Sequence, residues 1–412
     1  MRRAPMTGGS WVDLRSHLEW LDAEGGRLLD FASAARHTVG FAWLDGEGRP
    51  QLDRPLEAWI TARMTHVFAL AYLRGIPGMG PLADHGVDAL RGPFRDAEHG
   101  GWYSTLTPEG RPQETRKAAY VHAFVVLAAA SATAAERPGG RELLDDSLSE
   151  VDRHFWSEAE GRSLESWDRA WSEPEPYRGA NSNMHLVEAF LAAADVTGGD
   201  RWRARALAIA ERLIHGAARE NGWRLPEHFD PSWQPLLDYN AAVKEDPFRP
   251  YGSTIGHWLE WSRLLLHLEA SLSAPPTWLF EDARTLFDSA VTVGWDVDGA
   301  PGFVYTVDWN DRPVVRQRMH WVIAEAIAAA AAFRRRTGES SYEGWYRAAW
   351  DHAASLFIDR VHGSWHHELG PDDKPAASVW SGKPDVYHAF QATILPQLPL
   401  APALAVALRD LP

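Results

Sequence analysis

The 412-residue chain has no cysteine. Disulfides, thiolate nucleophiles and cysteine-ligated zinc are therefore excluded, and the absence suits a reducing compartment such as the cytoplasm. Long apolar runs are missing as well. No stretch exceeds the eight residues from Ala326 to Phe333, whereas a bilayer span needs roughly 20. The opening MRRAPMTGGS carries positive charge but no apolar segment, so a secretory signal is not expected. Basic residues are outnumbered, 41 Lys and Arg against 56 Asp and Glu, for a formal charge of −15. That average field repels nucleic acid and anionic membranes, and neither is expected as a partner. The phosphate-cradling G-x-x-x-x-G-K-[ST], a strand-associated G-x-G-x-x-G, G-x-S-x-G and H-E-x-x-H are also absent. No nucleotide, flavin or nicotinamide cofactor is expected, and no metal.

Histidine and tryptophan are plentiful. Six of the 18 histidines, His66, His122, His185, His257, His320 and His388, recur at intervals of 56 to 72 residues. Each opens an apolar, helix-like stretch, and an amphipathic stretch without a matching histidine lies between consecutive ones. A period of one helical hairpin repeated six times describes a closed ring of twelve helices, with the histidines converging at one end. Periodicity of 3.6 residues gives helices over about 12–36, 56–74, 80–94, 116–134, 141–158, 182–197, 200–219, 254–272, 277–293, 317–336, 341–359 and 386–409. The even-numbered ones, such as AAYVHAFVVLAAASA, are apolar on most sides and belong to an inner ring. The odd-numbered ones, such as DRWRARALAIAERLIHGAAR, are amphipathic and belong outside.

Gly-aromatic segments precede most inner helices: GFAWLDGEGR, GGWYSTLTPEGR, NGWRLPEHF, GFVYTVDWNDR and GSWHHELGPDD. They read as short β-hairpins on one rim, where loops on a rigid scaffold carry function. The most linker-like tract, AAERPGG from Ala134 to Gly140, separates two helices of the same period. Residues 1–412 are therefore expected to form a single domain.

The candidate chemistry lies at the starts of the inner helices. In YGSTIGHWLEW, Ser253 or Thr254 is a plausible N-cap, and His257 shares a face with Glu260. In GKPDVYHAFQATILP, Asp385 can cap the helix, with His388 in the first turn and Gln391 on its face. A neutral imidazole there is a usable general base. In NSNMHLVEAF, Asn181 or Asn183 can cap, and His185 with Glu188 repeats the H-x-x-E spacing. Two such pairs raise a metal reading, but the further inward carboxylates that di-metal bundles use are not evident. In EAWITARMTHVF, Trp59, Arg63 and His66 share a face; the arginine either pairs with a carboxylate or clamps a substrate oxygen. Tyr120 and Trp321 complete the wall, while His122 and His320 are the two of the six expected to be structural. Several of the 21 tryptophans are candidates for stacking on sugar rings.

The ordered motifs WITARMTHVF, NSNMHLVEAF, RPYGSTIGHWLEW, RMHWVIAEA and KPDVYHAFQA resemble the N-acylglucosamine 2-epimerase superfamily, specifically the branch of mannose and sulfoquinovose isomerases. The resemblance runs over nearly the whole chain. It implies an all-α fold, an (α/α)6 barrel of about twelve helices with short hairpin loops on one rim. It also implies aldose–ketose isomerisation or 2-epimerisation of an unphosphorylated monosaccharide, without metal or redox cofactor. It carries catalytic roles to His257 and His388, and sugar or oxyanion contacts to Arg63, Asn181, His185 and Glu260. Trp59, Tyr120 and Trp321 fall on the cavity wall. The expected chemistry is ring opening by His257, tuned by Glu260, then transfer of the C2 proton by His388 through a cis-enediolate. D-mannose–D-fructose exchange, with lyxose–xylulose beside it, is the leading expectation. Sulfoquinovose would need cations such as Arg249 or Lys383. A glycoside hydrolase would need flanking carboxylates, for which Glu260, Glu325 and Asp385 are candidates. Oligomeric state is left open.

Overall fold

The structure is a computed structural model and describes residues 10–411. Apart from Ser10, the opening segment MRRAPMTGGS lies outside the described residues. In chain order the helices are α1 (Arg15–Ala32), α2 (Ala58–Leu73), α3 (Met79–Arg91), α4 (Ala119–Ala134), α5 (Gly140–Glu150), α6 (Ala180–Thr197), α7 (Asp200–Ala210), α8 (Ile255–Ser271), α9 (Trp278–Gly294), α10 (His320–Thr337), α11 (Ser340–His352), α12 (Tyr387–Ile394) and α13 (Leu404–Arg409). Among the described residues, no helix is long and apolar enough to cross a membrane.

The even-numbered helices α2 to α12 pack neighbour on neighbour and close a ring through α12 against α2. Each carries an outer helix, α3 on α2 through α11 on α10, and α1 completes the set by covering α12. The inner helices bury almost their whole circumference; in α4 all but two of sixteen residues are buried. Such a segment has no face to offer water and is stable only when wrapped. The outer helices bury one stripe, as in α3, where Met79, Ala83, Val87 and Leu90 face inward. Gly198 and Gly338, at φ 70° and 74°, end α6 and α10 in the left-handed conformation that glycine adopts without a Cβ clash. The twelve-helix expectation holds for the barrel. The span 386–409, however, is not one helix. Beyond Ile394 the chain turns through Leu395–Gln397, and α13 is a separate piece packed against α2, α4 and α6. Pro396, Pro399 and Pro402 lack the N–H groups a continuous helix requires.

The rim holds six hairpins, not five. They are closed by bridges at Leu44–Pro50, Leu106–Pro112, Trp167–Pro174, Phe229–Pro235, Val307–Pro313 and Leu369–Pro375. The hairpin at Trp167 was not marked by a Gly-aromatic start, and the fourth turn follows NGWRLPEHF instead of lying within it. Five of the six pair back onto the two residues before the preceding inner helix. Thr105–Leu106 pairs with Leu56–Glu57, and the pattern repeats around the ring to Glu368–Leu369 on Arg318–Met319. The Lys383 N–H donates to the Leu44 carbonyl at 2.9 Å and closes the belt.

This belt explains the inner-helix N-termini. The first N–H of five inner helices donates to a hairpin carbonyl: Ala58 to Ser104, Ala119 to Glu165, Ala180 to Glu227, Ile255 to Tyr305 and His320 to His367, at 2.8–3.1 Å. The expected side-chain caps are displaced from that role. Ser253 Oγ donates to the Leu225 carbonyl, Thr254 makes no cap hydrogen bond, and Asn183 is tied to Ser163 and Gly179. Only Asp385 acts as expected, accepting the Tyr387 N–H at 2.9 Å.

Candidate active site

At the hairpin end the ring encloses a cavity of about 660 Å³ with its open mouth included. Inner helices supply Trp59, Arg63, Tyr120, Asn181, His185, His257, Glu260, His320, Trp321 and His388. Loops supply Phe248, Tyr305, His367, Trp380 and Asp385. Trp321 lies between the two histidines of interest, its ring centre 5.3 Å from His257 and 5.7 Å from His388. Gly256 makes this possible, because a Cβ there would overlap the Trp321 ring.

Both histidines are backed by a carboxylate. His257 Nδ1 lies 3.0 Å from Glu227 Oε2, and His388 Nδ1 lies 2.9 Å from Glu325 Oε1. An ionised carboxylate only accepts, so in each pair Nδ1–H is the donor. Burial, with the Arg63 charge nearby, holds His388 well below the usual histidine value; burial and Arg63 do the same for His185. These imidazoles are neutral at pH 7.

Arg63 is 7% exposed and boxed by the rings of Phe124, Tyr387 and Trp59. It reaches Asp385 Oδ2 at 3.3 Å and the Tyr120 hydroxyl at 2.9 Å. Its Nε has no partner among the described residues. The same is true of Asn181 Oδ1, His185 Nδ1, Glu260 Oε1 and His320 Nε2. Five buried polar atoms without partners around one cavity are far from the rule for protein interiors, and a polyhydroxylated ligand would match them.

Below the cavity floor lies a charged layer. Arg263 reaches Glu325 Oε2 at 2.9 Å and both Glu188 and Glu260 at 3.8 Å. Burial and the charge of Glu325 push the Glu260 carboxyl well above its ordinary range. Tyr387 donates its hydroxyl to Glu188. Two donor sets here could hold a divalent ion: His185, Glu188 and Glu260, and Glu260, Glu325 and His388. The Arg263 guanidinium already supplies positive charge to these carboxylates. Between this layer and α13 lies a second void of about 520 Å³, lined in part by His66, Arg263 and His267.

The family model described as N-acylglucosamine 2-epimerase matches residues 40–392. The chain belongs to the N-acylglucosamine 2-epimerase family. Among its relatives, a D-mannose isomerase of Thermobifida fusca is 60% identical over 400 residues, covering 97% of this chain and 98% of that protein. A D-mannose isomerase of Pseudomonas cannabina pv. alisalensis is 54% identical, covering 98% of each. A crystal structure of a D-mannose isomerase superposes with a TM-score of 0.86 at 27% identity, covering 92% of this chain and 97% of that one. The cellobiose 2-epimerase of Spirochaeta thermophila, at 22% identity and a TM-score of 0.79, shares the fold.

Of the candidate site residues read from the sequence, His257, His388, Glu260, Arg63, His185, Asn181, Trp59, Tyr120 and Trp321 all line the one cavity. Gln391 does not. It lies in the layer below, with its amide 3.2 Å from His66 Nε2, because one helical turn beyond His388 it has descended past the floor. Glu260 is not the partner of His257, a place taken by Glu227. Instead it lies 3.8 Å from His185 Nδ1. His320, expected to be structural, lines the cavity. His122, also expected to be structural, does lie away from it, packed on Phe155, Trp102 and Trp171. Arg249 and Lys383 are held outside it, by Glu175 and Asp359.

Sequence reasoning missed Glu227, Tyr305 and His367. A signal was available. Aligned on their bridge residues, the hairpins put Ser104, Glu165, Glu227, Tyr305 and His367 at one equivalent position, the residue before each strand pair. That position carries the carbonyl that receives the inner helix.

Proposed function

We propose that this chain is an aldose–ketose isomerase interconverting D-mannose and D-fructose, with D-lyxose and D-xylulose as a second pair. We infer that it acts as a single catalytic domain in the cytoplasm, without a metal ion. One observation carries this reading: two imidazoles, each backed by a carboxylate, face one sugar-sized cavity rich in unmatched polar atoms. The identity shared with D-mannose isomerases over nearly the full length of both chains supports it.

The chemistry follows from the groups present. A pyranose must open first. His257, with its Nδ1–H held by Glu227, takes the O1 proton through Nε2 and delivers a proton to the ring oxygen, and the C1–O5 bond breaks. The C1 carbonyl then acidifies the hydrogen at C2. His388 Nε2 removes that proton, leaving a cis-enediolate, and returns it to C1 on the same face. Meanwhile a proton must pass from O2 to O1, and the Glu260 carboxyl can carry it. Arg63 and His185 stabilise the oxyanion in a pocket shielded from water. One positioned base contributes roughly 10²–10⁴ in rate, so opening, transfer and charge stabilisation act together. Arg63 is the one Lys or Arg among the lining residues and is already paired, which favours an uncharged sugar over a sulfonated or phosphorylated one.

The test is D-mannose in D2O after EDTA treatment, followed by NMR. Fructose carrying deuterium at C1 is expected, from exchange at His388 during transfer. Glucose as first product would replace isomerisation by 2-epimerisation, loss of activity on chelation would overturn the metal-free reading, and no turnover would sink the proposal.

A further inference from the structure

His320 and His367 lie face to face in the cavity wall, ring centres 3.7 Å apart and planes 20° apart. Their protons are fixed by backbone carbonyls, which can only accept. His320 Nδ1 lies 3.3 Å from the His367 carbonyl, and His367 Nε2 lies 3.1 Å from the Asp385 carbonyl. Each ring must donate from that atom. A second proton on either ring would place a buried cation against its neighbour, and burial brings His320 down to about 4. His320 is therefore held in one neutral tautomer, with its proton on Nδ1 and a lone pair on Nε2. That Nε2 is buried and has no partner among the described residues, in a side chain only 6% exposed. Leaving a buried acceptor unmatched is unfavourable, and nothing in the fold calls for a histidine at the start of α10: the equivalent first residues of the other inner helices are Ala58, Ala119, Ala180, Ile255 and Tyr387.

We infer that His320 Nε2 accepts a hydrogen bond from one hydroxyl of the sugar chain beyond C2, making His320 a specificity residue that demands a donor at that carbon. The inference rests on the isomerase reading above and deepens it. An acceptor-only site discriminates by chemistry as well as shape. It takes a hydroxyl and rejects fluorine, which is similar in size but has no proton to give. His388 lies 6.5 Å from His320, ring centre to ring centre, so a hexose bound with C2 at His388 has hydroxyls within reach of both.

The experiment compares kcat/KM for D-mannose and its 3-, 4- and 6-deoxyfluoro analogues in the wild type, His320→Phe and His320→Gln. Phenylalanine keeps the stack and removes the acceptor; the glutamine carbonyl restores an acceptor near the Nε2 position. In the wild type, one analogue should fall roughly 10- to 100-fold, in keeping with loss of one hydrogen bond. In His320→Phe, mannose should fall by a similar factor while that analogue's penalty shrinks to within about two-fold. His320→Gln should recover part of the mannose rate and bring the penalty back. The inference is overturned if the wild type penalises no analogue, or if His320→Phe lowers all four sugars equally or none. A wild type inactive on mannose would instead sink the isomerase reading itself.

Discussion

The two halves of the ring carry histidines at the same interval and use them differently. In the first half His185 lines the cavity, but His66 and His122 are internal polar pins. His66 donates from Nδ1 to Ser131 and receives the Gln391 amide on Nε2. His122 bonds the Ala118 carbonyl and packs among aromatic rings behind the cavity. In the second half, His257, His320 and His388 all line the cavity. What sets His66 apart is depth along the helix. His320 is the first residue of α10, His388 the second of α12 and His257 the third of α8, whereas His66 is the ninth of α2. At 1.5 Å and 100° per residue, eight further steps put His66 about 12 Å below the rim. His122 is the fourth residue of α4, and its rotation turns it toward the outer layer. Regular spacing in the sequence reports the repeat; position within the turn decides whether the side chain meets substrate.

The contrast can be broken by substitution. His388→Ala should lower kcat by 10³-fold or more, an order-of-magnitude estimate for loss of the proton-transferring base, and should abolish exchange at C2 in D2O. Exchange that survives would move the base elsewhere. Glu227→Gln and Glu325→Gln each leave an imidazole without its carboxylate. We expect kcat to fall about 10²-fold in both, with little change in KM, because orientation and tautomer are lost while the cavity is kept. Equal activity in either variant would show that its pair is not used. Gly256→Ala should push the Trp321 ring out of place between the two histidines and reduce kcat/KM about ten-fold, read alongside a circular dichroism spectrum that reports intact helices. The smallest effect on rate belongs to the first half: His122→Phe should leave kcat within about two-fold and show its effect as a lower Tm.

Acid separates activity from stability along the same line. His388 is held well below the usual histidine value by burial and Arg63, so the base stays unprotonated and the acid limb of kcat lies below pH 6.5. His66 and His122 are brought down to about 3, and His320 to about 4, chiefly by burial. The unfolded chain takes up protons near pH 6.5, where the folded chain does not. Stability is therefore fully present above that value and is lost as pH falls toward the folded values. His388 should stay unprotonated at pH 6.5, where an ordinary histidine is half protonated, while Tm falls on further acidification from pH 7.5. A Tm that rises on acidification would contradict the assignment of these rings as neutral.

Much of the fold was legible because an inner helix must be apolar on nearly every side and an outer one on a single stripe, and α4 and α7 announce that difference in composition. Arg63, His185, Asn181, His257 and His388 were legible because they interrupt apolar helices near their starts. Their partners were not. Glu227 lies 30 residues before His257, and Glu325 lies 63 before His388 on a neighbouring helix, so each pair is made by ring geometry. Phe248 and Trp380 come from loops with no periodicity. The Trp167 hairpin was missed because no Gly-aromatic pair opens SWDRAWSEP; in its turn Trp171 takes positive φ, as Trp233, Asp311 and Asp373 do in three of the others.

The outer helix covering α12 is α1, drawn from the opposite end of the polypeptide. A ribosome must therefore release nearly all of the chain before His388 gains its outer wrapping and the belt closes at Leu44 and Lys383. Until then, five helices made to be wrapped wait with an open flank. A nascent chain stalled before residue 383 should be catalytically silent and dependent on chaperones, whatever the quality of its first five repeats.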